Sequence, residues 1–131
     1  MALKIVLDTN IILSAILNGN GQPAKIFDLF LDKEASLYYS EAMIDEYKDV
    51  LSRERFKIPK EKVGRVINII RKLGINIDPI TSIFPMTDES DRIFHDTAEN
   101  ATAWLITGNI KHYPNKDFIL TPSDFCKRLN L

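Results

Sequence analysis

The chain has 131 residues, 45% of them hydrophobic and 27% charged, enough for one domain with a sizeable core and too apolar for a disordered chain. No apolar run approaches the ~20 residues of a membrane span. The single cysteine, Cys126, excludes an internal disulfide and, without a histidine–cysteine cluster, a zinc site. The N-terminus runs straight into a strand pattern with no small-residue cleavage site, so a reducing cytoplasm is the expected location. The formal net charge of −1 hides a split. Residues 53–72 carry 8 basic and 2 acidic side chains, a local net of +6, between two segments with an excess of acids. That pattern suits either a polyanionic partner or a solvated helix face.

In chain order, Ile5-Val6-Leu7 is a short continuous apolar run, the pattern of a strand buried on both faces. Asp8 follows it directly. An acid there caps the next helix or faces a cleft at the carboxyl edge of the sheet, where ligands of open parallel sheets bind. A short helix to about Leu17 is broken by Asn18-Gly19-Asn20-Gly21, and Pro23 suits the first turn of a second helix. Leu37-Tyr38-Tyr39 reads as a strand. Ser40 suits the N-cap of a helix with a Met43-Tyr47-Val50-Leu51 stripe, and Glu46 lies near the edge of that stripe. A basic connection from Arg53 to Lys60 leads to a helix marked by Val63, Val66, Ile67, Ile70 and Leu73, with Gly74 as its stop. Ile75, Ile77 and Ile80 alternate as a third strand, which Pro79 places at an edge.

After a linker over 81–86, Asp88 or Ser90 opens a helix carrying Asp91, Phe94 and Ala98, with Asp88 read as an N-cap rather than a ligand. His95 is expected on its exposed side, and Asp96 as a solvated acid or a further ligand. Ala103-Trp104-Leu105-Ile106 and Phe118-Ile119-Leu120 are the last strands, and Thr121-Pro122-Ser123-Asp124 is a capping box for a final helix. Strands alternate with helices throughout. The expected fold is therefore α/β, one domain over 1–131, with a mainly parallel sheet of four to five strands and helices on both faces.

Asp8, Glu46 and Asp91 come from distant parts of the chain. In such a sheet the ends of the first and fourth strands are often adjacent, which would bring Asp8, Asp91 and the Thr107-Gly108-Asn109 turn together. Gathered carboxylates repel and need a cation. Oxygen ligands select Mg²⁺ or Mn²⁺, either of which can polarise a phosphoryl oxygen and activate water. No Gly-x-Ser-x-Gly elbow or phosphate-cradling glycine loop offers a competing chemistry.

Five stretches then carry a resemblance that spans nearly the whole chain. They are Val6-Leu-Asp-Thr-Asn10, Ser40 to Arg53 with Glu46-Tyr47, Asp88-x-x-Asp91-x-x-Phe94-x-x-x-Ala98, Leu105-Ile-Thr-Gly-Asn-x-Lys-His112, and Ile119-Leu-Thr-Pro122. In this order they resemble the PIN-domain family, in particular its branch of toxin components of toxin–antitoxin pairs. The resemblance implies a three-layer α/β/α sandwich and a Mg²⁺- or Mn²⁺-dependent endoribonuclease, together with an antitoxin partner and a homodimer. It places Asp8, Glu46 and Asp91 at the metal-binding positions, with Asp96 as an additional candidate. Asn10 and Thr107 become supports. Asn109 departs from the family, which has a fourth acid there; the amide keeps a carbonyl oxygen but loses a charge. Arg53, Arg55 and Lys57, with Lys111 and His112, are candidate contacts to RNA phosphates, although a functionless polar loop also accounts for the last two.

The rival reading is a PIN-like module that has lost catalysis and acts by binding RNA or protein; Asn109 favours it, and three retained acids oppose it. A haloacid-dehalogenase-like phosphatase would need an acid where Asn10 stands. A response-regulator receiver would need a cluster of acids at the first strand.

Overall fold

The computed structural model describes residues 3–131. Five strands, β1 (Leu3–Leu7), β2 (Ala35–Tyr39), β3 (Ile75–Asn76), β4 (Trp104–Ile106) and β5 (Ile119–Leu120), form one sheet in the order β3-β2-β1-β4-β5. Every pairing is parallel. Parallel neighbours need crossovers, and the chain supplies them as α1 (Thr9–Leu17), α2 (Gln22–Leu31), α3 (Glu41–Leu51), α4 (Lys60–Leu73) and α5 (Arg92–Ala101), with α6 (Pro122–Leu129) last. Helix α5 lies against β1, β2 and β4, while α2 packs on β2 and α6, which gives the expected three-layer α/β/α fold. Among the described residues no helix is long and apolar enough to cross a membrane.

The sheet is built outward from β1. Ile5, Val6 and Leu7 are fully buried, because helices cover both faces of the central strand. The chain first winds from β1 to β2 and β3, then returns past β1 to β4 and β5. The winding direction therefore reverses between β1 and β4, whose register pairs Leu7 with Ile106. At such a switch point the two outgoing loops diverge and leave a crevice at the carboxyl ends of the strands. Asp8 and Thr107 are the first residues beyond those ends.

Local signals are met where they govern local structure. The Thr121 hydroxyl accepts the Asp124 N–H at 3.2 Å, and Pro122 opens α6. Val63, Val66, Ile67 and Ile70 are buried on α4, but Leu73 is 45% exposed, since it lies in the last turn beyond the sheet edge. Gly74 does stop α4, although its φ of −81° is not left-handed. The stop is steric instead: a Cβ there would stand 2.5 Å from the Ile70 carbonyl oxygen and 3.1 Å from that of Leu37. Ser40 occupies the N-cap of α3 without capping it, and its hydroxyl accepts from Thr97 Oγ1 at 3.4 Å.

Three expectations from sequence are corrected. The third strand is only Ile75–Asn76, and Ile80 is 80% exposed. Beyond β3 the chain leaves the sheet and is held by α5 instead. The Ile80 N–H donates to Asn100 Oδ1, the Ser82 N–H donates to Asp96 Oδ2, and Arg92 donates to the Ser82 and Phe84 carbonyls. His95, expected at the surface, is fully buried between the Phe84 and Phe118 rings, because that linker covers its side of α5. Its Nδ1–H donates to Asp96 Oδ1 and its Nε2 accepts from Lys116 Nζ, both at 2.8 Å. Asp96 is accordingly buried rather than solvated, with one oxygen accepting from Ser82 and the other from His95, and it is not among the ligand atoms that gather at Asp88, Asp91 and His112.

Candidate functional site

Asp8 ends β1 and begins α1. Its backbone N–H donates to the Ile106 carbonyl, which pins it to the end of β4. Its side chain is 5% exposed and accepts three hydrogen bonds: Oδ1 from the Thr9 N–H at 2.7 Å, and Oδ2 from Thr107 Oγ1 at 2.7 Å and from the Tyr113 hydroxyl at 3.0 Å. Asp8 thus caps α1 with Oδ1, while Thr107 and Tyr113 hold Oδ2 on the β4 and β5 side. Burial pushes its carboxyl above the usual range, and the Thr107, Tyr113 and Thr9 donors only partly counter it.

Around this anchor the switch-point loops are tied together. Thr107 Oγ1 also accepts the Asn109 N–H at 3.0 Å, and the Gly108 N–H donates to Asn10 Oδ1 at 3.1 Å. Asn10 therefore acts as a clamp between α1 and the 107–109 turn. The hydroxyl of Tyr47, next to the centre of α3, donates to the Leu7 carbonyl. That bond fixes α3, and with it Glu46, against the end of β1.

Asp91 enters from the opposite side. It ends a short 3₁₀ turn (Glu89–Asp91) and stands at the N-terminus of α5. The α-helix begins at Arg92, later than expected, and Asp88 caps the preceding turn by accepting from the Ser90 N–H and hydroxyl. Asp91 Oδ2 is buried and has no hydrogen-bond partner among the described residues. His112 Nδ1 stands 3.4 Å away, an ion-pair separation once the imidazole is protonated, but without hydrogen-bond geometry. Burial first, then the charges of Asp8 and Asp88, push the Asp91 carboxyl up to about 6. Glu46, half-buried on α3, is also raised, by burial and then by Asp49, with Asp8 and Asp88 adding to the effect and Arg53 opposing it.

The charges of Asp8 and Asp88 act on both Glu46 and Asp91, so the four acids form an acidic cluster at the switch point, in which Asp88 itself is held below the usual range by its Ser90 hydrogen bonds. Ligand atoms of Asp88, Asp91 and His112 lie within 4.8 Å of one another. The raised carboxyls of Asp8, Glu46 and Asp91 and the unpartnered buried oxygen of Asp91 fit the donor set of a cation site. The donors are mainly carboxylate oxygens, which suit a hard divalent ion such as Mg²⁺ or Mn²⁺. Asn109 is exposed at the start of the Ile110–His112 turn, beside the cluster and tied to it through Thr107.

Of the basic candidates, Arg53, Arg55 and Lys57 lie in the connection after α3, and Lys111 and His112 in the turn after β4. Arg53 pairs with Asp49 at 3.1 Å and is close enough to Glu46 to act on its charge. Arg55 lies over the Phe56 ring at 4.9 Å, Lys57 is exposed at the end of that turn, and Lys111 is exposed beside His112. His112 is the one candidate phosphate contact that the structure puts within the acidic cluster.

Sequence reasoning missed Tyr113 and the polar end of Tyr47. Tyr47 read as a member of an apolar stripe, which its ring is. Tyr113 lies 105 positions from Asp8 in sequence, and no local pattern links the two.

The chain is similar in sequence and in structure to known proteins. VapBC2 from Rickettsia felis, solved with a DNA fragment from its promoter, superimposes with a TM-score of 0.61 at 21% identity, over 90% of this chain and 97% of that one. At that identity the likeness establishes the fold. An uncharacterized protein of Methanocaldococcus jannaschii is 30% identical over 110 residues, which cover 82% of this chain and 71% of the relative. The PIN domain profile matches residues 4–111, a span that holds every acid of the cluster but stops short of His112 and Tyr113. The chain belongs to the PIN domain family.

Proposed function

We propose that the protein is a metal-dependent endoribonuclease and the toxin of a toxin–antitoxin pair. The observation that carries the reading is Asp91 Oδ2, buried and without a hydrogen-bond partner, in a carboxyl that burial and then the charges of Asp8 and Asp88 push up to about 6. Asp8, Glu46 and Asp91 would hold the divalent ion, Mg²⁺ or Mn²⁺, with Asp88 and His112 at its margin. When bound, such an ion would supply Lewis-acid polarisation of a phosphoryl oxygen and of a nearby water. The chain's own residues supply the frame. Thr107, Tyr113 and Thr9 fix the Asp8 carboxylate, Asn10 holds the 107–109 turn, and Tyr47 holds α3. Arg53, Arg55, Lys57, Lys111 and His112 are the groups available to RNA phosphates, and they provide affinity rather than sequence readout.

An antitoxin partner is supported by the structural likeness to VapBC2, and a homodimer by the family resemblance. One observation favours a second reading, a binding module with impaired catalysis: Asn109 leaves the cluster one charge poorer on its exposed side.

Metal-stripped protein incubated with a mixed RNA pool, with and without Mn²⁺, separates the two. Cleavage that requires Mn²⁺ and disappears in Asp8→Asn is the expected result. Equal cleavage by wild type and Asp8→Asn would refute the catalytic assignment. RNA retained without cleavage at any Mn²⁺ concentration would favour the binding module.

A further inference from the structure

We propose that Tyr113 is a positioning residue for Asp8: its hydroxyl withdraws Oδ2 from coordination, leaves Oδ1 as the oxygen offered to a divalent cation, and so sets how tightly the cation is held. The inference rests on the metal-dependent reading given above.

A carboxylate oxygen has two lone pairs. Asp8 Oδ2 receives two hydroxyls, Thr107 at 2.7 Å and Tyr113 at 3.0 Å, and is therefore saturated. Oδ1 receives one donor, the Thr9 N–H at 2.7 Å, and keeps a lone pair free. The direction of each proton is fixed by its surroundings. The Asn109 N–H already donates to Thr107 Oγ1, so the Thr107 proton is free to point at Asp8. The Tyr113 phenol is buried with its hydroxyl 3.0 Å from Asp8 Oδ2, and a carboxylate oxygen can only accept, so the phenol is the donor.

Tyr113 is itself held firmly. It follows the Ile110–His112 turn, and its N–H donates to the Ile110 carbonyl at 3.2 Å. The segment that brings His112 to Asp91 thus also brings Tyr113 to Asp8, so one loop addresses two acids of the cluster. A hydrogen bond that orients a ligating carboxylate and fixes its free lone pair is worth about 10- to 100-fold in metal affinity. A buried tyrosine that merely needed an acceptor would have no such effect.

The test is Mn²⁺ titration calorimetry on metal-stripped wild type, Tyr113→Phe and Asp8→Asn, with melting curves in EDTA to establish that each variant is folded. Tyr113→Phe keeps the ring and removes only the hydroxyl. Its Mn²⁺ dissociation constant should rise about tenfold while Asp8→Asn loses measurable binding. An unchanged constant in Tyr113→Phe, with binding lost in Asp8→Asn, would overturn the inference and leave the metal reading standing. Wild-type affinity in Asp8→Asn would overturn the metal reading and the inference with it. If Tyr113→Phe does not fold, Tyr113→Leu provides a second hydroxyl-free variant with the same expectation.

Discussion

Replacing Asp91 by asparagine should make the metal-free protein more stable, which is the reverse of what a buried hydrogen-bonded acid would give. Asp91 Oδ2 has no donor to lose, and the carboxyl is pushed from an ordinary 3.8 to about 6 by burial, Asp8 and Asp88. Between those two values the folded state holds a proton that the unfolded state has released. Stability therefore falls as pH rises through this window, and the full penalty is present above it. A shift of roughly two units corresponds to a ceiling of about 3 kcal/mol at pH 7.5. The side chain is 16% exposed and the cluster meets solvent at Asp88, so screening reduces this to about 1.5 kcal/mol. Asparagine keeps the shape and removes the charge. In EDTA at pH 7.5, Asp91→Asn should unfold about 1.5 kcal/mol later in urea, or about 4–6 °C higher on heating, and the gap should close toward pH 4. Mn²⁺ should raise the melting point of wild type and leave the variant nearly unchanged, since only wild type binds the ion in its native state. An Asp91→Asn protein no more stable than wild type at pH 7.5 would refute the reasoning and show that His112 already neutralises the carboxylate.

Neutralising Arg53, Arg55 and Lys57 together should weaken RNA binding and reduce the slope of log affinity against log salt by about 1 to 2, with Mn²⁺ affinity retained. Arg53 contributes least because it is already paired with Asp49. Fluorescence anisotropy across a salt series measures the slope, and an unchanged slope would place the RNA elsewhere. Gly74→Ala should cost about 2 kcal/mol despite its ordinary φ, because the new Cβ meets backbone oxygens that cannot move away. Urea denaturation at neutral pH checks this, and a neutral substitution would mean that the end of α4 relaxes freely.

The order of strands and helices was legible in the sequence because each element satisfies a local rule. The unbroken Ile5-Val6-Leu7 run needs cover on both faces, the α4 stripe repeats at helical spacing, and Thr121-Pro122 caps α6 through atoms three residues apart. Asp8 could be singled out for the same reason, as a charge placed directly after a strand too apolar to be exposed. Glu46 and Asp91 could be suspected, but their closeness to Asp8 follows from the reversal of winding between β1 and β4, which no local pattern encodes. Helical position alone cannot say whether the outer side of α5 is wet. The linker after β3 folds over that side and binds Ser82 to Asp96, which turns His95 and Asp96 from surface residues into buried ones. The same loss of local information hides Tyr113. A tyrosine in a polar loop has no periodicity to betray it, and only the docking of the 110–113 segment against the end of β1 brings its hydroxyl to Asp8. Sequence sets what each segment can become on its own, whereas the partners of a buried charge are chosen by chain reversals and long-range packing that exist only once the sheet has closed.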